Sequence, residues 1–172
     1  MLNILKIFYP DHYEKSTYGI DFEGLYASGV RGLIFDIDNT LVPHDFPADK
    51  RSRDLFLKLK KIGFKSLILS NNKEKRVKSF ADSVGCPYIF KAAKPGISGY
   101  LKAMEIMGTD KKSTVSIGDQ LFTDVLGANR AGIKNILVHP IDRREKMQIV
   151  LKRIIERPIL RAYFRAKDRG EL

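Results

Sequence analysis

Two carboxylates stand one residue apart at the end of an apolar run, Asp36 and Asp38 in "FDIDNT", directly after "GVRGLI". Like charges this close repel, which raises the pKa of whichever carboxyl keeps its proton, and a general acid working near neutral pH needs that property. The other carboxylate can attack phosphorus and form an acyl phosphate, dividing one hard displacement into two easier ones. Asp36 is read as that nucleophile. Asp38 is read as the group that protonates the leaving oxygen and later activates water. The repulsion also calls for a cation, and a Mg2+ held by Asp36 and Asp119 answers it, because hard cations prefer oxygen donors and Mg2+ takes only one or two carboxylates.

Other polar residues follow apolar runs in the same way: Ser70 and Asn71 after "KSLIL", Lys94 before Pro95, and Asp119 and Asp124 in "GDQLFTD". The Ser70 hydroxyl and the Lys94 ammonium suit phosphoryl oxygens. Each residue has an ordinary reading as well. A DxD pair can be a solvated turn, Ser70 can cap the helix that "SNNKEK" begins, Lys94 can lie on the surface, and "GDQLFTD" can be a strand and turn with an N-cap aspartate. What favours chemistry is the order, since each group sits at the end of a consecutive strand.

Those strands alternate with amphipathic stretches. "RGLIFD", "KSLILS", "YIF", "STVSIGD" and "NILVHP" read as strands. "ADKRSRDLFLKLKKIG", "KEKRVKSFADSVG", "GISGYLKAMEIMG" and "FTDVLGANRAG" read as helices, with Leu55, Leu59 and Ile62 on one face of the first and Gly63 as its stop. Continuous apolar strands separated by helices predict an α/β fold, an open doubly wound parallel sheet whose ligands bind beyond the carboxyl ends of the strands. At 172 residues the chain is expected to be one domain, given ~100–200 residues per domain. Residues 1–29 read as an irregular arm packed on it, 30–140 as the catalytic core, and 141–172 as a basic helical segment.

With these motifs in order, the sequence resembles the haloacid dehalogenase-like (HAD) phosphatase superfamily. "DIDNT" with Asp36, Asp38 and Thr40, then Ser70, Lys94, and "GDQLFTD" with Asp119 and Asp124 match its four motifs. The resemblance covers roughly residues 30–140. It implies a HAD-like, Rossmannoid core, an aspartyl-phosphate on Asp36, and Asp38 as acid and base. It also implies Mg2+ on the carboxylates of Asp36 and Asp119 and the main-chain carbonyl of Asp38, with Asp124 in support. Thr40, Ser70, Asn71 and Lys94 are the expected phosphate contacts. "FYPDHYEKS" with "DNTLVPHD" further resembles the YqeG-type branch of subfamily IIIA, related to phosphatidylglycerophosphate phosphatases. A response-regulator receiver has similar parts, but not a DxDxT at its first strand nor a late aspartate pair.

Members of that superfamily select substrates largely with cap domains inserted after the first or second motif. Here 29 residues (41–69) separate Thr40 from Ser70, and 23 (71–93) separate Ser70 from Lys94. A short flap, "LVPHDFP", with one helix uses up the first interval, and a helix and a strand use up the second. No inserted cap fits, so the site should be open and suited to substrates that are large or lie on a surface. His44 and Asp45 fall in the flap, where His44 can meet the leaving group or simply be exposed.

Composition narrows the partners. The single Cys86 cannot form an internal disulfide and has no metal-ligand neighbours, which excludes a zinc ribbon and points to a reducing compartment. The start "MLNILKIFYP" is too short for a signal-peptide core, and no run approaches the ~18 apolar residues of a membrane span. The expected location is cytoplasmic, or peripheral at the inner membrane face. A net charge of +11 predicts attraction to polyanions: phosphorylated substrates, acidic lipid or nucleic acid.

The segment 143–172 carries ten Lys/Arg against four Asp/Glu. Its Met147, Val150, Leu151, Ile154 and Ile155 recur at helical spacing, with Pro158 expected to kink the chain. It can dock on the sheet or lie on anionic lipid. Nucleic acid is disfavoured, because no aromatic-rich basic strand or recognition motif is present. The substrate expected first is a phosphorylated glycerolipid head group, phosphatidylglycerophosphate. A soluble sugar phosphate, a nucleic-acid end and a non-catalytic phosphate-recognising adaptor are the alternatives. The sequence says nothing of oligomeric state.

Overall fold

The structure, a computed structural model, describes residues 5–142 and 147–172, and side chains outside 143–153. One six-stranded sheet runs in the order β1 (His12–Glu14), β6 (Lys134–Val138), β5 (Thr114–Gly118), β2 (Gly32–Phe35), β3 (Lys65–Leu69), β4 (Tyr88–Ile89). All neighbours are parallel. Central β2 is buried at every residue, as expected of a strand covered on both faces. From β2 the chain builds outward through β3 to β4, then crosses back to β5 on the other side. Strand order therefore reverses between β2 and β5, and the crevice beyond their carboxyl ends is where such a sheet binds ligands.

Successive β2 side chains point to opposite faces. Leu33 and Phe35 pack with Phe22 of α1 (Phe22–Ala27), Leu55, Phe56 and Leu59 of α2 (Lys50–Ile62), and Val77 and Phe80 of α3 (Glu74–Val84). Ile34 packs on the other side with Tyr100, Met104 and Met107 of α4 (Ser98–Met107) and Ala128 and Ala131 of α5 (Leu126–Ala131). Burying each large apolar side chain contributes roughly 1.5–3 kcal/mol. Helix α2 starts on a capping box in which the Asp49 carboxylate accepts the Ser52 N–H and the Ser52 hydroxyl accepts the Asp49 N–H. It stops at Gly63, whose φ of +112° belongs to the left-handed region that glycine tolerates. Residues 41–93 hold only the flap, α2, β3, α3 and β4, so no cap domain is inserted.

Two elements differ from the sequence reading, and the last helix extends it. The arm is less irregular than its composition suggests, because β1 pairs with β6 as a sixth strand, too short at three residues for a period-2 pattern to show. The helix expected over "FTDVLGANRAG" begins as a π-helical turn, Leu121–Val125, before α5. The last helix, α6 (Met147–Asp168), runs through Pro158 as one element. Proline there removes one N–H donor, and packing on both sides of it holds the helix together: Glu156, Ile159, Tyr163 and Ala166 are buried. Ile159 joins Leu121, Val125 and Leu137 in a third apolar cluster, and Tyr9 stacks edge-on against Tyr163 at 5.6 Å. Of the apolar positions expected to repeat in this helix, Met147, Val150 and Leu151 lie outside the described side chains, and Ile154 and Ile155 are exposed.

Candidate active site

Just past β2 the backbone doubles back. The N–H groups of Thr40 and Leu41 donate to the Ile37 carbonyl at 3.2 and 2.9 Å, and Asn39 takes φ +61°, a conformation asparagine adopts more readily than most residues. The arm braces this turn: Thr17 Oγ1 donates to the Thr40 carbonyl at 2.7 Å and the Tyr18 hydroxyl to the Leu41 carbonyl at 2.6 Å.

Lys94 reaches the same place from beyond β4. Its Nζ donates to Asp36 Oδ1 at 2.7 Å and to Asp124 Oδ1 at 2.6 Å, with 4% of the lysine side chain exposed. The loop that delivers it holds Lys91 and Ala93 at φ +44° and +54°. Such conformations cost about 1–3 kcal/mol each for residues with a Cβ and persist only when neighbours impose them. Asn71 is one such neighbour, its side chain accepting the Lys94 N–H at 2.8 Å and donating to the Lys94 carbonyl at 3.1 Å. The Asn71 amide, expected at the phosphate, thus commits its oxygen and one N–H to the lysine's backbone. Ser70, fully buried, accepts the Asn72 N–H at 3.2 Å and closes the turn after β3. It does not cap α3, whose N-cap is Lys73 with no side-chain bond.

From β5 come Asp119 and Asp124. Thr40 Oγ1 donates to Asp119 Oδ1 at 3.4 Å, and the Gln120 N–H donates to Asp124 Oδ2 at 3.2 Å. Gly118 permits this fold-back, for a Cβ there would lie 2.3 Å from Asp124 Cγ. From the far side, the buried Glu156 of α6 accepts the N–H of Leu121, first residue of the π turn, at 2.9 Å.

Carboxylate oxygens of Asp36, Asp119 and Asp124 lie within 4.8 Å of one another. When all three are ionised they outnumber the one positive charge of Lys94 by two, and they offer an all-oxygen donor set for a divalent cation. The strain shows in the protonation equilibria. Burial pushes the Asp36 carboxyl up to about 7, against the pull of Lys94 and with the help of Asp124 and Asp38. Burial alone would lower the Lys94 ammonium, but Asp124 and Asp36 outweigh it and hold the group above its usual range.

Asp38 faces a different set. Its Oδ1 accepts from Arg76 Nη2 and from the Asp45 N–H, both at 2.9 Å, and its Oδ2 accepts from the Asn72 amide. Asp45, at φ +64°, belongs to the flap, as does His44, whose Nε2 lies 3.3 Å from Asp45 Oδ2. Asp36, Thr40, Lys94, Asp119 and Asp124 thus form one cluster and Asp38 stands beside it with Arg76. Arg76, Asn72 and Glu156 are the residues that sequence reasoning did not single out. "KEKR" reads as a solvated basic patch, and Glu156 as one acid in a basic tail; only Asn72, two residues after Ser70, carried a signal. Elsewhere, burial pushes the Cys86 thiol up to about 12, consistent with a small apolar filler.

The family model described as HAD-hydrolase-like matches residues 91–146. The chain is 43% identical over 158 residues to "Probable phosphatase YqeG" of Bacillus subtilis (strain 168), covering 91% of this chain and 92% of that protein. It is 26% identical over 148 residues to a chloroplastic phosphatidylglycerophosphate phosphatase 1 of Chlamydomonas reinhardtii, covering 80% of this chain and 55% of that one. An uncharacterized protein from Listeria monocytogenes serotype 4b shares the fold, with a TM-score of 0.54 at 22% identity over 68% of this chain and 85% of that one.

Proposed function

The chain belongs to the HAD-like hydrolases as a phosphatase, and on that premise we propose that it hydrolyses a phosphorylated glycerolipid with Mg2+ as its cofactor. The observation that carries the chemistry is the convergence of Asp36, Asp119, Asp124 and Lys94 at the carboxyl ends of β2 and β5. Asp36 and Asp119, with the main-chain carbonyl of Asp38, would hold the ion, and Asp124 would support it. Bound there, Mg2+ would supply positive charge against the transferring phosphoryl oxygens.

The residues of the chain do the rest. An Asp36 oxygen attacks phosphorus, the ester oxygen leaves with a proton from Asp38, and an aspartyl-phosphate remains. Asp38 then takes a proton from water, whose oxygen attacks phosphorus and releases inorganic phosphate and free Asp36. Lys94 and the Ser70 and Thr40 hydroxyls neutralise and orient the phosphoryl oxygens.

Three features support a lipid substrate. The site lacks an inserted cap. The chloroplastic relative named above is a phosphatidylglycerophosphate phosphatase. Arg157, Arg161 and Arg165 lie exposed four residues apart on α6, with Ile154 beside them and the opposite side docked on the core. Such a stripe suits an anionic leaflet, at about 1 kcal/mol per basic residue near the surface. Among the described residues no helix is long and apolar enough to cross a membrane, so contact would be peripheral. The test measures phosphate release from phosphatidylglycerophosphate in anionic vesicles and from a soluble aryl phosphate. It compares the intact chain with one carrying Arg153, Arg157, Arg161 and Arg165 changed to Gln. Loss confined to vesicles, greatest at low salt, is expected; equal vesicle rates remove the tail from the reading. Hydrolysis of sugar or polynucleotide phosphates instead of the lipid overturns the substrate.

A further inference from the structure

Arg76 is oddly employed for a structural arginine. It stands in the first turn of α3 with 18% of its side chain exposed, its guanidinium 5.8 Å from the Phe80 ring, and among the described residues it makes one hydrogen bond, Nη2 to Asp38 Oδ1 at 2.9 Å. Its Nε is shielded from solvent and has no hydrogen-bond partner among the described residues. A guanidinium presents its donors as a planar fork that fits a carboxylate or phosphate through two parallel bonds, and buried donors are seldom left unpaired. Here the fork is half used. The Asp38 carboxylate meets the fork through Oδ1 alone, which also accepts the Asp45 N–H, while Oδ2 is turned to the Asn72 amide.

The position says what would fill it. The phosphoryl group is met by Lys94 at Asp36, whereas Arg76 touches the residue that protonates the leaving oxygen. An anion reaching Arg76 therefore sits on the leaving group, a few bonds from the scissile ester. Three donors already occupy the Asp38 carboxylate, and releasing one of them clears an oxygen for the proton it carries to the ester. An anion that draws Arg76 away would do that.

We propose that Arg76 is a specificity residue that binds a second phosphate on the leaving group of the substrate, and in doing so frees Asp38 to act as the acid. This rests on the assignment of Asp36 as nucleophile and Asp38 as acid. The substrate class it names is a phosphomonoester of a glycerol that bears a phosphodiester, the chemistry of a phosphorylated glycerophosphate head group, with or without acyl chains. Because the second phosphate acts on the proton donor, the preference should appear in kcat as well as KM.

The test uses three soluble esters: glycerophosphoglycerol phosphate, which carries the second phosphate; 3-phosphoglycerate, which carries a carboxylate; and glycerol 3-phosphate, which carries neither. The intact chain should favour the first over the third in kcat/KM by about tenfold or more, the worth of one charge-assisted bidentate contact. Arg76→Gln should reduce that ratio to near one while its circular dichroism matches that of the unmodified protein. Arg76→Lys, which keeps the charge beside Asp38 and loses the fork, should lower the ratio in part and carries the test if the Gln variant does not fold. An equal ratio in the intact chain and Arg76→Lys overturns the proposal, as does equal or greater preference for 3-phosphoglycerate. If the intact chain hydrolyses none of the three esters nor an aryl phosphate, the nucleophile assignment fails and the proposal falls with it. Aryl phosphate turnover without a preference among the three leaves the assignment standing and refutes Arg76 alone.

Discussion

Lys94 Nζ and Asp36 Oδ1 lie 2.7 Å apart, with 4% of the lysine side chain and 11% of the aspartate side chain exposed. A charge pair this enclosed is costly to break from one side, because the partner is left buried and uncompensated. Lys94→Met should destabilise the protein by about 3–5 kcal/mol when urea unfolding is followed in EDTA, since Asp36, Asp119 and Asp124 then share a pocket without a cation. Added Mg2+ should recover part of the loss. No recovery would mean that the three carboxylates do not bind the ion.

The same enclosure sets a pH dependence. The folded protein holds the Asp36 proton up to about pH 7, well above the usual carboxyl range. The folded state thus binds more protons than the unfolded one between roughly pH 4 and 7, and stability falls as pH rises through that window. Denaturant midpoints in EDTA should decline from pH 5 to pH 8 for the unmodified chain and change less for Asp36→Asn. A rise across the interval that disappears in Asp36→Asn would mean that the folded protein gives up the Asp36 proton more readily than the unfolded chain, the opposite sign.

Turnover should vanish in Asp36→Asn, where one oxygen is exchanged at constant volume and the fold is kept. Retention of even about a tenth of the activity, a barrier change of only ~1.4 kcal/mol, would remove Asp36 as nucleophile. EDTA should stop phosphate release from the unmodified chain and Mg2+ should restore it. In Asp119→Asn, restoration should require a much higher Mg2+ concentration.

Gly118→Ala tests how closely the backbone approaches Asp124. An added Cβ would meet Asp124 Cβ at 2.5 Å and Cγ at 2.3 Å, so the carboxylate must move away from Lys94. Overpacking of this kind costs typically about 1–3 kcal/mol. Activity should fall more steeply than stability, and a variant with unchanged kcat would show that the position of Asp124 is not critical.

How much of this was legible in the sequence varies with the physical range of each interaction. The β2, β3 and β5 strands and helices α2 to α4 were written in local periodicity, and the Gly63 stop in a single residue. The cluster of Asp36, Lys94, Asp119 and Asp124 was legible because a parallel sheet brings its strand ends to one edge whatever the loops do. The use of Asn71 on the Lys94 backbone was not, since it depends on two loops meeting. Arg76 and Glu156 were invisible for the same reason: each acts across the fold, on Asp38 from 38 residues away and on Leu121 from 35. Strand β1 escaped because an edge strand of three residues owes its existence to the partner it finds in β6.

The grip on the two catalytic loops comes from outside the span that contains the motifs. Thr17 and Tyr18 hold the turn after β2 from before it, and Glu156 holds the turn after β5 from behind it, while Tyr9 and Tyr163 meet edge-on. A fragment cut at residues 30 and 140 would retain every acid, hydroxyl and ammonium of the reaction and lose both clamps. Transplanting the motifs into another α/β scaffold would fail in the same way. In this protein the reactive groups are portable and their alignment is not, so tolerance to trimming, read on a soluble ester, measures how far catalysis depends on segments that supply none of the reacting groups.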